Sequence, residues 1–183
     1  MATRRLRTIH SLAIVALSSV AIAGCGTQDG SNPAGSALPT APASAIPGTT
    51  EGATTADIQA AKLEPCPVYD ANVAPVADGL PDLTLACLGE GKPVRLAGVR
   101  GTPMVVNVWA SWCGPCKAEL PMMGEFYRDN REKLAFLGID MADDRVAALA
   151  MAGSTAMTFP SVQDPKSEIR AGLKVIGVPT TLF

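Results

Sequence analysis

Residues 104–121 read Met104-Val-Val-Asn-Val-Trp109-Ala-Ser-Trp-Cys113-Gly-Pro-Cys116-Lys-Ala-Glu-Leu-Pro121. The first six are almost continuously apolar, which suits a central strand buried on both faces. After Cys113 the period changes. Cys116, Leu120, Met123 and Tyr127 recur at spacings of four, three and four, one apolar stripe of a helix over 115–130, with Lys117, Gly124 and Arg128 on the opposite side. Pro115 suits the first helical turn, where its missing N–H would have had no partner. Two cysteines three residues apart therefore stand where a buried strand turns into a helix.

That placement carries chemistry. Peptide N–H groups at a helix N-terminus bear partial positive charge and favour thiolate over thiol at Cys113. In such motifs the cysteine pKa falls to roughly 3.5–7.5 from about 8.5. Cys113 is thus the attacking sulfur. Cys116, one turn further in, is expected to be buried and to stay protonated until it resolves a mixed disulfide. A zinc site would need two more ligands. Cys66 and Cys87 do not form a second close pair, and His10 is the only histidine. No metal or cofactor is expected.

Around this segment, Asp82–Ala86 and Lys92–Leu96 flank Gly89-Glu-Gly91 and read as a short hairpin at a sheet edge. Leu134–Asp140 reads as a second buried strand. Asp143 or Asp144 can cap a helix whose inner face is Val146, Leu149, Ala150 and Gly153. Thr158–Val162 suits a short strand, Pro165–Gly172 a short helix opened by proline, and Thr180–Phe183 the start of a strand. Strands alternating with helices make an α/β domain with a largely parallel sheet.

The N-terminal part differs in kind. Residues 1–24 carry Arg4, Arg5 and Arg7, then an apolar stretch from Ile9 to about Ala23, the layout of a bacterial secretory signal. That stretch is short for a membrane span of about 20 residues. Ile22-Ala-Gly-Cys25 resembles a lipobox, which implies lipidation of Cys25 and a membrane anchor. Residues 26–57 are almost all Gly, Ser, Thr, Ala and Pro, so 25–64 is read as the lipidated cysteine plus a flexible linker, and 65–183 as the folded domain. Removing 1–24 takes away three arginines and no acid, moving the net charge from −2 to −5. An acidic domain without a basic cluster gives no reason to expect nucleic-acid binding. The only histidine leaves with the signal, which excludes Cys–His, Ser–His–Asp and axial haem-histidine chemistry.

Export also bears on the other cysteines. Cys66, Cys87, Cys113 and Cys116 are an even number for an oxidising compartment, with three possible pairings. The pairing that joins Cys113 to Cys116 leaves Cys66 to Cys87 as a structural disulfide, tying the segment before the domain onto the hairpin. A second redox centre is the alternative, although neither cysteine has a helix-terminal setting to activate it.

The segment Val105–Pro121 resembles the active-site segment of the TlpA/ResA-type thioredoxin-like proteins, membrane-tethered members of the thioredoxin superfamily. The resemblance runs from about residue 80 to the end. It implies a thioredoxin-like fold, a central mixed sheet flanked by helices with an N-terminal edge hairpin. That fold continues with a further strand and helix, which are expected to be missing from a sequence ending at Phe183. The resemblance makes Cys113 the nucleophile and Cys116 the resolving cysteine, with Trp112, Gly114 and Pro115 supporting them. It makes Pro121 the proline that kinks the helix, and Pro179, in Gly177-Val-Pro-Thr-Thr181, a cis-proline facing the dithiol. Glu119 matches a glutamate associated with proton handling; the plainer reading is a solvated helix charge. Asn107 departs from thioredoxins proper, which carry a buried aspartate there, and an amide cannot shuttle a proton.

The function so implied is that of a thiol–disulfide oxidoreductase anchored by lipid on the extracytoplasmic face of a bacterial membrane. The Gly-Pro dipeptide resembles reducing thioredoxins. The implied partners are protein disulfides, such as those of apocytochrome c in cytochrome c maturation, and a membrane redox protein that resets the dithiol. Two alternatives stay open: an oxidase that forms disulfides in secreted proteins, and a binding lipoprotein that keeps the fold without catalysis.

Overall fold

The computed structural model describes residues 52–183. The signal-like segment, Cys25 and most of the linker lie outside the described residues. Six strands form one sheet: β1 (Thr84–Cys87), β2 (Val94–Arg95), β3 (Met104–Trp109), β4 (Ala135–Met141), β5 (Ser161–Asp164) and β6 (Thr180–Leu182), in the order β2-β1-β5-β4-β3-β6. β3, β4 and β5 are mutually parallel, in a register that puts Trp109 beside Asp140 and Asp140 beside Gln163. β1, β2 and β6 join antiparallel. The sheet is therefore mixed, with a parallel centre, as the resemblance implies.

Strand alternation distributes the core to both faces. Val105, Trp109 and Phe136 pack with α2 (Gly114–Asn130) and α3 (Arg145–Thr155). Val106, Val108, Leu137 and Ile139 pack on the other face with α4 (Ile169–Leu173). Among the described residues no helix is long and apolar enough to cross a membrane.

The structure corrects several expectations. The linker does not extend to residue 64: Thr55–Ala61 form a helix, α1, opened by a capping box in which Thr54 and Asp57 satisfy each other's backbone N–H. Ala61 is buried and Ile58 packs on the core. Glu64 then accepts the Tyr127 hydroxyl at 2.6 Å and Arg131 at 3.0 Å, fixing this arm to α2. In α2, Gly124 lies on the buried side, where a Cβ would stand 3.1 Å from the Ala156 carbonyl oxygen. In α3 the inner face is Ala148, Leu149, Met151, Ala152 and Thr155, while Val146, Ala150 and Gly153 are exposed. A helix so rich in small apolar residues has little amphipathic phase to read. β5 begins at Ser161 rather than Thr158. α4 begins at Ile169, because Pro165 sits in the preceding turn and the Asp164 carboxylate accepts the Glu168 and Ile169 N–H groups at 2.8 and 3.0 Å.

Candidate active site

β3 ends at Trp109 and α2 begins at Gly114, so Ala110–Cys113 is the whole connection. Cys113 is the N-cap of α2, in extended conformation, and its sulfur accepts the Cys116 N–H at 3.1 Å. Its carbonyl accepts the first helical bond, from Lys117 at 3.2 Å. Gly114 and Pro115 occupy the first turn and are exposed. The two cysteines are joined as a disulfide, Cα–Cα 5.3 Å. Both are largely covered, Cys113 at 4% and Cys116 at 1% exposure, and Trp112 beside them stands 61% exposed. Pro121 lies inside the continuous α2.

The Val178–Pro179 bond is cis. Val178 packs against both apolar clusters of the core, one of which holds Cys113 and Cys116. Two residues on, Thr181 pairs with Asn107 across β3 and β6. The buried Asn107 donates its amide to Thr181 Oγ1 at 3.1 Å, and the Thr181 hydroxyl lies 3.4 Å from Glu119 Oε1. A hydroxyl has one proton. With its oxygen accepting from Asn107, that proton is free to point at Glu119. Glu119 is one turn beyond Cys116 on the same side of α2.

The other cysteine pair belongs to the other apolar cluster of the core. Cys66 and Cys87 form a disulfide with Cα–Cα 5.9 Å, both at most 6% exposed. Cys66 also bridges to Gly91 in the hairpin loop, so the bond secures the arm before the domain to β1. Cys25 lies outside the described residues.

Sequence reasoning missed two acids near the turn. Asp143 accepts from Ser111, two residues before Cys113, and Asp140 is fully buried at the end of β4. Burial, reinforced by the neighbouring Asp143, holds the Asp140 carboxyl well above the usual carboxylate range. The signal available in the sequence was an acid inside an otherwise apolar strand; what it faces depends on strand order.

Known proteins resemble this chain in sequence and fold. The profile of the AhpC/TSA family matches residues 76–183. The thiol-disulfide oxidoreductase ResA of Oceanobacillus iheyensis is 30% identical over 118 residues, covering 62% of each chain. The thioredoxin-like protein YneN of Bacillus subtilis is 32% identical over 104 residues, 55% of this chain and 60% of that one. The chain thus spans about three fifths of the length of the curated relatives it matches. A secreted Mycobacterium tuberculosis disulfide oxidoreductase, homologous to Escherichia coli DsbE, superposes with a TM-score of 0.51 at 27% identity, over 56% of this chain and 75% of that one. A DsbF homologue from Corynebacterium diphtheriae gives 0.50 at 28%, over 62% and 73%. With the matched region running from ahead of the edge hairpin through the disulfide turn to β6, the chain belongs to the AhpC/TSA family of thioredoxin-fold proteins.

Proposed function

We propose that the chain is an extracytoplasmic thiol–disulfide oxidoreductase that exchanges disulfides through Cys113 and Cys116. The observation that carries this reading is the Cys113 sulfur at the N-cap of α2, accepting a helix N–H, with Cys116 sealed behind it. In the reduced protein the N-terminal peptide dipoles favour the Cys113 thiolate. That thiolate attacks one sulfur of a substrate disulfide. A mixed disulfide forms and the second substrate sulfur leaves as thiolate. Cys116 then gives up its proton, attacks the Cys113 sulfur and releases the first substrate sulfur, also as thiolate. Two electrons pass from the dithiol to the substrate, and the Cys113–Cys116 disulfide is left behind. Glu119, held by Thr181, is the group nearest in sequence to take the Cys116 proton. Trp112, Gly114, Pro115 and the cis Pro179 loop form the surface on which substrate backbone rests.

Direction is read as reducing, on the Gly-Pro between the cysteines, with protein disulfides as substrates and a membrane redox protein restoring the dithiol. Disulfides of exported proteins, those of apocytochrome c among them, are the substrate class. The lipobox-like Ile22–Cys25 supports attachment to the membrane through Cys25, and a related disulfide oxidoreductase is described as secreted.

Insulin reduction by the full chain tests the reading. Wild type is expected to turn over insulin with dithiothreitol as reductant, Cys113→Ser to fall to the uncatalysed rate, and Cys116→Ser to accumulate a mixed disulfide. Cys113→Ser retaining turnover would remove the assignment. A midpoint potential nearer to about −270 mV than to about −120 mV is expected for a reductant; the reverse order would make it an oxidase.

A further inference from the structure

The residues just before Cys113 are held from outside their own strand and helix. Asp143, in the β4–α3 loop, is only 5% exposed. Its Oδ1 accepts the Ser111 hydroxyl at 2.7 Å and the Asp144 N–H at 2.8 Å, while Oδ2 accepts the Ser111 backbone N–H. Beside it the Trp112 indole N–H donates to the Ala142 carbonyl at 3.0 Å. Ser111 and Trp112 are thus joined to residues 142–143 by three hydrogen bonds.

A nearly buried carboxylate is costly unless its oxygens are satisfied. Among the described residues neither ion pair involves Asp143. Arg145, close by in sequence, turns its guanidinium to the Cys87 and Leu88 carbonyls. Among the described residues no group of three or more acids, cysteines or histidines, Asp140, Asp143 and Asp144 included, is arranged to hold a metal. What the Asp143 oxygens hold is Ser111 and the start of α3.

The connection from Trp109 to Gly114 is four residues long, so its path decides where the Cys113 sulfur meets the peptide N–H groups of α2. We propose that Asp143 is a positioning residue for the Cys113–Cys116 couple: by clamping Ser111 it fixes the turn that sets the Cys113 sulfur at the helix N-terminus. The proposal rests on the exchange reading above.

Charge and position predict opposite outcomes, which makes the test decisive. Removing a nearby negative charge by itself favours the thiolate and lowers the Cys113 pKa. Releasing the turn weakens the helix-terminal contact and raises it. Asp143→Asn drops the charge but can still accept the Ser111 N–H through its carbonyl oxygen and donate to the hydroxyl. Asp143→Ala loses both. The measurement is the pH dependence of Cys113 alkylation in the reduced full chain, with the glutathione midpoint potential and melting temperature recorded beside it. Asp143→Ala is expected to raise the apparent pKa by about one unit, roughly a tenfold loss of thiolate at a fixed pH below it. Asp143→Asn is expected to stay at or below wild type, and the charge-neutral Ser111→Ala to rise by less than Asp143→Ala. An equal fall in Asp143→Ala and Asp143→Asn would reduce the effect to charge and overturn the proposal; an equal rise in both would show that the hydrogen bonds to Ser111 do not set the pKa and would overturn it as well. A lower melting temperature with unchanged thiol pKa and potential would do the same. Should Asp143→Ala not fold, Ser111→Ala decides by the same criterion. Loss of insulin turnover in wild type, with an ordinary Cys113 pKa, would overturn the exchange reading and this proposal with it. Normal wild-type turnover with unmoved variants would overturn this proposal alone.

Discussion

Cys113 and Cys116 are the same residue type one helical turn apart, yet their settings differ. The first caps the helix with its sulfur on a backbone N–H; the second lies on the buried stripe with Leu120. That difference was legible in the spacing, because a helix start and an apolar stripe are local patterns. Asp140 was not legible. Neither of its carboxylate oxygens has a hydrogen-bond partner, and it sits in a row between Trp109 and Gln163 that exists only because β3, β4 and β5 are adjacent. Its carboxyl titrates well above 3.8 in the folded protein and near that value once unfolded. The stability linked to it is therefore complete below about pH 4 and is lost as pH rises toward the folded-state value. Asp140→Asn should melt close to wild type near pH 3.5 and above it by a margin that widens from pH 4 to 7. A constant difference in melting temperature over that range would show that Asp140 is not the titrating group.

At the scale of elements, the hydrophobic period located β3, α2 and β4 but gave the wrong phase where side chains are small. Gly124 illustrates the reason. It is buried by close approach of backbones, with the Ala156 carbonyl and the Met157 Cα within 3.3 Å of where a Cβ would be, so its role is to lack a side chain. A hydropathy pattern cannot register that. Gly124→Val should force α2 away from the end of α3 and destabilise the fold by about 1–3 kcal/mol, measured by urea denaturation; a stability equal to wild type would mean that the two segments separate freely. The arm ahead of the sheet was misread for a related reason. Thr54–Asp57 is a capping signal inside a composition that otherwise resembles a tether, and Ile58, Ala61 and Leu63 are too few to stand out until α3 provides their partner.

For the whole molecule, the Cys66–Cys87 bond closes a loop between the arm and β1, with a sequence separation of 21. Constraining a loop of that size in the unfolded chain stabilises by roughly 3 kcal/mol. The double variant Cys66→Ser/Cys87→Ser should lose about that much in denaturant unfolding while keeping insulin turnover, since neither sulfur touches the α2 terminus. Loss of turnover in a variant that remains folded would make this pair part of the redox chemistry. The sequence alone determined the class of fold and the strand-to-helix turn bearing two cysteines, because both follow from short-range periodicity and helix-end chemistry. The tertiary structure decided which residues from distant segments converge on that turn. Asp143 reaches Ser111, and Thr181 joins Asn107 to Glu119, because sheet order and register bring separate strand ends to one place. Local pattern carries no record of those neighbours.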